Sequence, residues 1–283
     1  MVIDVLLPLA LAFIMFSLGL TLVADDFLRL FCRPRAVVVG LVGQILLVPL
    51  LAYLFALSAN LSGDMAVGLM ILAACPGGVS SGLLTHLARG ETALSISLTA
   101  ISSMLAVVTL PAVVDYSLHQ FAYQATSIEL PVGKMIRGVF LLTTIPVLVG
   151  MAVRHLRPAL AMRIERPAGK LATVLFVLIV IATFVGQREL LLANLPSIGP
   201  TIMVLNLLVM GAGFGISALS RLTRRDATAV AMECGLQNAA LGIFVAAGLL
   251  KRPDLAIPSV VYALLMNVGA IGLVYLVRRQ AAS

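Results

Sequence analysis

Apolar runs of roughly twenty residues, parted by short charged clusters, recur along this chain at about 2–24, 35–58, 65–87, 92–118, 133–156, 169–187, 198–219, 226–250 and 255–278. A helix rises about 1.5 Å per residue, so about twenty residues match a hydrocarbon core ~30 Å thick. The pattern therefore predicts nine transmembrane helices. Two of the nine are interrupted at their centres. The third carries Cys75-Pro76-Gly77-Gly78-Val79-Ser80-Ser81-Gly82, and the eighth carries Glu233-Cys234-Gly235-Leu236-Gln237-Asn238. Proline removes a backbone donor and glycine weakens a helix, so each run should split into halves of about ten residues, neither of which spans alone. A helix broken inside lipid leaves backbone ends facing one another, and such ends suit ions and charged solutes.

Composition agrees. The 283 residues are 61% hydrophobic and 11% charged, with a mean hydropathy of +1.12, and no soluble domain remains once the apolar runs are marked. The net charge of +7 does not indicate nucleic-acid binding, because the cations sit in short loops. With the N-terminus outside, Arg29, Arg33, Arg35, Arg89, Arg154, Arg157, Arg163, Arg166, Lys170, Arg221, Arg224, Arg225, Arg278 and Arg279 fall on the cytoplasmic side. Only Lys134, Arg137, Arg188, Lys251 and Arg252 fall outside. That bias predicts N-out, C-in and an odd number of crossings. Cys32, Cys75 and Cys234 lack CxxC spacing, so neither a disulfide framework nor a zinc site is expected. The first run carries Asp4 and has no cationic start, which reads as a span and not a signal peptide.

The two breaks are followed by similar turns. Arg89-Gly-Glu-Thr-Ala-Leu-Ser95 aligns with Arg252-Pro-Asp-Leu-Ala-Ile-Pro258 at an offset of 163 residues, which sets Cys75 opposite Asn238. Five helices separate the copies, an odd number, so the second is inverted. Inverted repeats with paired broken helices indicate a secondary transporter.

These residues resemble the bile acid:sodium symporter family over nearly the whole chain. Met15-Phe-Ser-Leu-Gly-Leu-Thr-Leu22 resembles the family's first shared helix. Pro76-Gly-Gly, Leu87-Ala-Arg-Gly90 and Leu94-Ser95 resemble its first crossing helix and the turn beyond. Glu233-Cys-Gly-Leu-Gln-Asn238 is similar to its second crossing helix. The chain resembles members without the extra first helix of ten-helix bacterial relatives. The resemblance implies a core domain (about 35–118 and 198–278) and a panel domain (about 2–24 and 133–187) that move against each other, in the plasma membrane of a bacterium, as a monomer. It further implies two sodium sites: Ser81, Ser95, Thr99 and Glu233 for the first; Gln44, Glu233, Gln237 and the carbonyls of Cys234 and Leu236 for the second.

The residues support such an ion on their own chemistry. A hard cation prefers carboxylate, carbonyl and hydroxyl oxygens. Ser95 and Thr99, four apart, share a helix face, and Glu233 is a carboxylate deep within an apolar run. Gly82 stands where the family usually has an Asn, so the first site has one side-chain oxygen fewer. For an organic anion, chiefly a carboxylate, the expected groups are the N-termini of the second half-helices, at Gly78, Val79 and Ser80 and at Asn238 and Ala239, with Asn267 adding a directional hydrogen bond. Val79 and Met266 replace a Thr and a His of some relatives, which points to a more apolar solute.

Plainer roles are expected elsewhere. Ser97, Ser102 and Ser103 should bond back to the preceding turn, Asn206 should join helices, and Gly211, Gly213 and Gly215 should be close-packing positions. His86, His119 and His155 should face solvent, and Asp25-Asp26 should end a helix. The leading expectation is a sodium-coupled importer of an organic anion. Proton coupling through Glu233 and facilitated passage are the competing transport readings. An enzyme is disfavoured by the lack of HExxH, paired catalytic aspartates or a deep nucleophile–base pair.

Overall fold

The computed structural model describes residues 2–23, 33–121 and 132–280, and every regular element within them is a helix. In chain order these are α1 (Val2–Thr21), α2 (Pro34–Ser58), α3 (Gly63–Ala73), α4 (Ser81–Leu87), α5 (Thr92–Phe121), α6 (Val132–Leu156), α7 (Pro158–Gly186), α8 (Arg188–Leu219), α9 (Arg224–Gly235), α10 (Ala239–Leu249) and α11 (Ile257–Gln280). Pro34–Ser58, Thr92–Phe121, Val132–Leu156, Pro158–Gly186, Ile198–Leu219 and Pro253–Arg279 are each long and apolar enough to cross a membrane. Val5–Thr21, Gly63–Ala73 and Ala239–Leu249 are shorter apolar helices. The chain is an all-helical, multi-pass membrane protein. Arg29, Cys32 and Asp25-Asp26 lie outside the described residues.

Two helices begin earlier than the apolar pattern. α7 starts at Pro158, well before 169, so Arg163, Arg166 and Lys170 extend the helix instead of forming a loop. A proline at a first helical position is preorganised there and loses no bond. α8 starts at Arg188, because Glu189-Leu-Leu-Leu-Ala193 are strong helix formers that carry the helix into Pro196 and Pro200. Of three π-turns among the described residues, Gly43–Leu47 in α2 and Phe140–Thr144 in α6 come just before Pro49 and Pro146, while Phe244–Leu249 ends α10. A ring that cannot donate its N–H loosens the preceding ladder.

The predicted splits are present: α3 and α4 share the third apolar run, α9 and α10 the eighth. Their outer ends are tied down by charge. Arg33 at the foot of α2 bonds Asp226 at 3.2 Å; Arg225 lies 3.6 Å from Glu91 in the turn before α5. Thr223 caps α9, accepting from the Asp226 N–H and donating back to its carboxylate. At the far end of the core, Arg252 bonds Asp64 of α3 at 2.9 Å and Asp254 at 2.6 Å. The Asp254 hydrogen bonds hold the Arg252 guanidinium above its ordinary range.

Helix ends repeat in a matching way. Asn60, Arg89, Arg221 and Lys251 have φ of 47°, 56°, 55° and 57°. Asn60 and Arg221 precede α3 and α9, while Arg89 and Lys251 follow α4 and α10. Leu61, Gly90 and Leu222 donate back to Ala56, Thr85 and Ser217, closing left-handed caps. Three of the four are cations at negative helix ends, which offsets the strain of an L residue at positive φ.

α1 packs chiefly on α6 and α7, and α8 on α9 and α11. α1 and α6 meet backbone to backbone: a Cβ on Gly19 would overlap the Val147 carbonyl, and one on Gly150 would overlap the Phe16 carbonyl. On α8 only one of the three expected packing glycines is close. Gly213 lies against Cys234, whereas Gly211 and Gly215 have nothing within 4 Å of where a Cβ would stand. Gly211 is exposed and Gly215 half-buried, so neither is a close-packing position. Gly150→Ala should therefore cost about 1–3 kcal/mol through overpacking, read as a lowered unfolding midpoint in detergent. Gly211→Ala should stay within about 0.5 kcal/mol of wild type; equal effects would contradict this packing.

Candidate functional site

The two interruptions cross and satisfy each other. Gly77 and Gln237 form an isolated antiparallel bridge. The Gly78 N–H donates to the Leu236 carbonyl at 2.5 Å and the Asn238 N–H to the Pro76 carbonyl at 2.9 Å. The residues that face each other at the crossing are thus Gly77 and Gln237, a pairing that the repeat alignment of Cys75 with Asn238 does not address. Unpaired backbone groups cost several kcal/mol in hydrocarbon (~2–7 for an amide), so each break supplies the bonds the other lacks. A Cβ on Gly77 would overlap the Glu233 carboxylate where it now sits, so glycine at 77 leaves that carboxylate its place at the crossing.

Glu233, in the last turn of α9, is fully buried. Thr99 Oγ1 lies 2.7 and 2.9 Å from its two oxygens, and Ser95 Oγ lies 3.3 Å from Oε2. Ser81 Oγ, at the start of α4, is 3.2 Å from Thr99 Oγ1 and 3.3 Å from Ser95 Oγ. All four residues expected of the first sodium site gather at one point. α4 supplies one hydroxyl, α5 supplies two from one face, and α9 supplies the carboxylate. Beside them, a Cβ on Gly82 would stand 3.0 Å from Ile96.

The second expected set comes together in part. Gln44 sits in the π-turn of α2, which aims its amide inward; its Nε2 donates to the Cys75 carbonyl and to Gln237 Oε1, both at 2.9 Å. Gln237 Nε2 donates to the Cys234 carbonyl at 2.8 Å. The Leu236 carbonyl accepts from the Gly78 N–H across the crossing, and the hydrogen bonds of the Glu233 carboxylate run to the hydroxyl cluster.

Of the expected anion groups, Gly78, Asn238 and Ala239 are buried at the crossing, Ser80 and Asn267 are half-buried, and Val79 is 37% exposed. Asn238 caps α10, its Oδ1 accepting from the Leu241 N–H at 3.1 Å. Its amide nitrogen points to the Met15 sulfur of α1 at 3.8 Å, a weak acceptor for a buried donor.

The plainer expectations fare as follows. Ser102 and Ser103 bond back to the Thr99 carbonyl, and His86, His119 and His155 are exposed. Asn206 does join helices: its amide donates to the Gly235 carbonyl at 2.7 Å and the Tyr262 hydroxyl at 2.9 Å. Tyr262 escaped the sequence reading altogether. The available signal was a phenol inside an apolar helix, where its hydroxyl must find a partner. Among the described residues no three of His, Cys, Asp and Glu gather as a metal-binding group. The oxygens that converge are hydroxyl, amide, carbonyl and one carboxylate, which suits a hard monovalent cation.

Comparison with known proteins gives a consistent picture. Residues 8–194 match the model of the sodium bile acid symporter family. A protein of Bacillus subtilis described as an uncharacterized sodium-dependent transporter is 30% identical over 259 residues, covering 91% of this chain and 78% of its own length. A probable chloroplastic sodium/metabolite cotransporter of rice (Oryza sativa) is 29% identical over 264 residues, 93% of this chain and 62% of its own. The ileal sodium/bile acid cotransporter of Cricetulus griseus is 29% identical over 244 residues, 85% and 68% respectively. The chain thus spans 62% of the length of the rice relative.

The amide pair at the crossing makes a direct prediction. Gln44→Leu strips a donor from the Cys75 carbonyl and from Gln237, and Gln237→Leu strips one from Cys234. Each should cost about 1–3 kcal/mol. The double variant should cost clearly less than the sum, because no amide is left unpaired. Unfolding in detergent without sodium measures this, and strict additivity would count against the pairing.

Proposed function

The chain belongs to the sodium bile acid symporter family, whose members are transporters and not enzymes, and from that premise we propose that it imports an organic anion by sodium-coupled alternating access. The observation that carries the reading is the buried Glu233 carboxylate ringed by the hydroxyls of Ser81, Ser95 and Thr99 at the crossing. Sodium would be a co-transported substrate here. These oxygens, drawn from three helices, would replace its water and give the carboxylate a counter-charge. The oxygens of Gln44, Gln237, Cys234 and Leu236, with Glu233 shared between the sites, would take a second ion, each backbone carbonyl using the lone pair that its hydrogen bond leaves free. Gly82 leaves the first site an oxygen short, so a water would complete it.

In this reading nine segments cross the bilayer, N-terminus outside and C-terminus in the cytoplasm of a bacterial cell. α1, α6 and α7 form a panel, supported by the glycine crossing of Gly19 and Gly150; the remaining helices form the core. Inverted repeats are supported by the mutual bonds at the breaks, which exchange under an offset of 160, and by the paired left-handed caps. The anion would sit where panel meets crossing, at the α10 N-terminus, with Asn238 turning its amide from Met15 to a carboxylate. Gly78, Val79, Ser80, Ala239 and Asn267 would line that place, and the apolar Val79 and Met266 favour a bulky or hydrophobic carboxylate.

Uptake into proteoliposomes under an inward sodium gradient tests this, with carboxylates ranging from short hydroxy acids to a bile acid. Accumulation should disappear when choline replaces sodium at constant pH, and Glu233→Gln should reduce it to background. Full uptake in choline would favour proton coupling, and downhill equilibration alone would favour facilitated passage. Thr99→Val should raise the half-saturating sodium concentration about tenfold, the worth of one hydrogen bond or ligand to a charged group.

A further inference from the structure

Where α9 ends, its last carbonyls are buried in the protein and need partners. Two are met close by, Met232 by the Leu236 N–H and Cys234 by the Gln237 amide, and just past the helix the Leu236 carbonyl is met by the Gly78 N–H. The Gly235 carbonyl is met from outside the crossing. Asn206 of α8 donates to it at 2.7 Å and Tyr262 of α11 donates to it at 2.9 Å, while the Asn206 amide also feeds the Tyr262 hydroxyl.

The two supporting helices grip this peptide from both sides. Met210, one turn beyond Asn206, lies over Gly235, where a Cβ would overlap its side chain. Gly269, two turns beyond Tyr262, lies against Asn206, where a Cβ would overlap Oδ1. That Oδ1 is buried and has no hydrogen-bond partner. An unfed amide oxygen in the core costs free energy, and in this geometry that cost accompanies an amide whose two protons go to the Gly235 carbonyl and to the Tyr262 hydroxyl that also holds it.

We propose that Asn206 and Tyr262 are positioning residues for the cation site: by fixing the Gly235–Leu236 peptide they set how α9 ends. The Glu233 carboxylate lies two residues before that peptide, and Gln237 lies one residue beyond it. The inference rests on the sodium reading of the crossing. Neither residue touches the ion; both act through the backbone between its ligands.

The test is a sodium titration of the thermal unfolding midpoint of the purified full chain in detergent, with choline keeping ionic strength constant. Tyr262→Phe should raise the half-saturating sodium concentration about fivefold, as the loss of one buried hydrogen bond does. The sodium-free midpoint should stay within a few degrees of wild type, roughly 2–4 °C. Gly269→Ala removes no polar group but displaces the Asn206 amide, and should shift the titration the same way. Should Tyr262→Phe fail to fold, Gly269→Ala alone decides. Variants that lower the sodium-free midpoint yet titrate like wild type would overturn the proposal and leave a purely structural clamp. A wild-type chain that sodium does not stabilise would overturn the cation reading itself, and this proposal with it.

Discussion

Backbone amides cannot go unpaired in hydrocarbon, and the fold of this chain is one answer to that constraint. Two helices stop partway through an apolar run, which either would be unable to do alone. They stop where the Pro76 and Leu236 carbonyls can meet the Asn238 and Gly78 amides. The reciprocal bonds make the interruption tolerable, and the interruption brings a carboxylate and three hydroxyls to a place that continuous helices would fill with side chains. Gly77 is part of the same bargain, since without a Cβ it leaves the Glu233 carboxylate room in its present place.

Around the crossing, support arrives at several radii. The Gln44 and Gln237 amides hold the inner carbonyls of both breaks. Asn206 and Tyr262 hold the next one out. At the ends of the half-helices, Arg33 with Asp226 and Arg252 with Asp64 and Asp254 tie each half to a neighbouring turn. The half-helices cannot bury themselves by length, so ion pairs and caps at their outer ends replace part of what a full span gains from lipid. Lateral packing follows a different rule. Gly19 and Gly150 bring α1 and α6 into backbone contact, as small residues do where apolar burial offers no drive for helices to associate.

Much of this was legible in the sequence, and for identifiable reasons. Proline, glycine and a lone carboxylate in apolar runs mark a break in any setting, so α3/α4 and α9/α10 could be foreseen; spacing alone put only Ser95 and Thr99 on one face, and the grouping of Ser81, Ser95, Thr99 and Glu233 came from the family resemblance. Helix limits were less legible where hydropathy and helix propensity part company: Arg163 and Arg166 are polar yet helical, and Glu189–Ala193 continue a helix past an expected turn. Register at the crossing was also hidden, because a short alignment of the following turns says nothing about which peptide planes face each other. Likewise the commitment of the Leu236 carbonyl, the Met15 contact to Asn238 and the role of Tyr262 depend on three-dimensional neighbours more than twenty residues away in sequence.

The central physical claim is that an enclosed carboxylate with neighbouring hydroxyls forms a dehydrated cradle for a small cation. Equilibrium binding of radioactive sodium to the purified protein, competed with unlabelled sodium or potassium, addresses it most directly. The account predicts saturable binding that sodium displaces, that potassium displaces poorly, and that vanishes when residue 233 carries an amide. Binding that persists undiminished in that variant, or none in the wild-type chain, would contradict it.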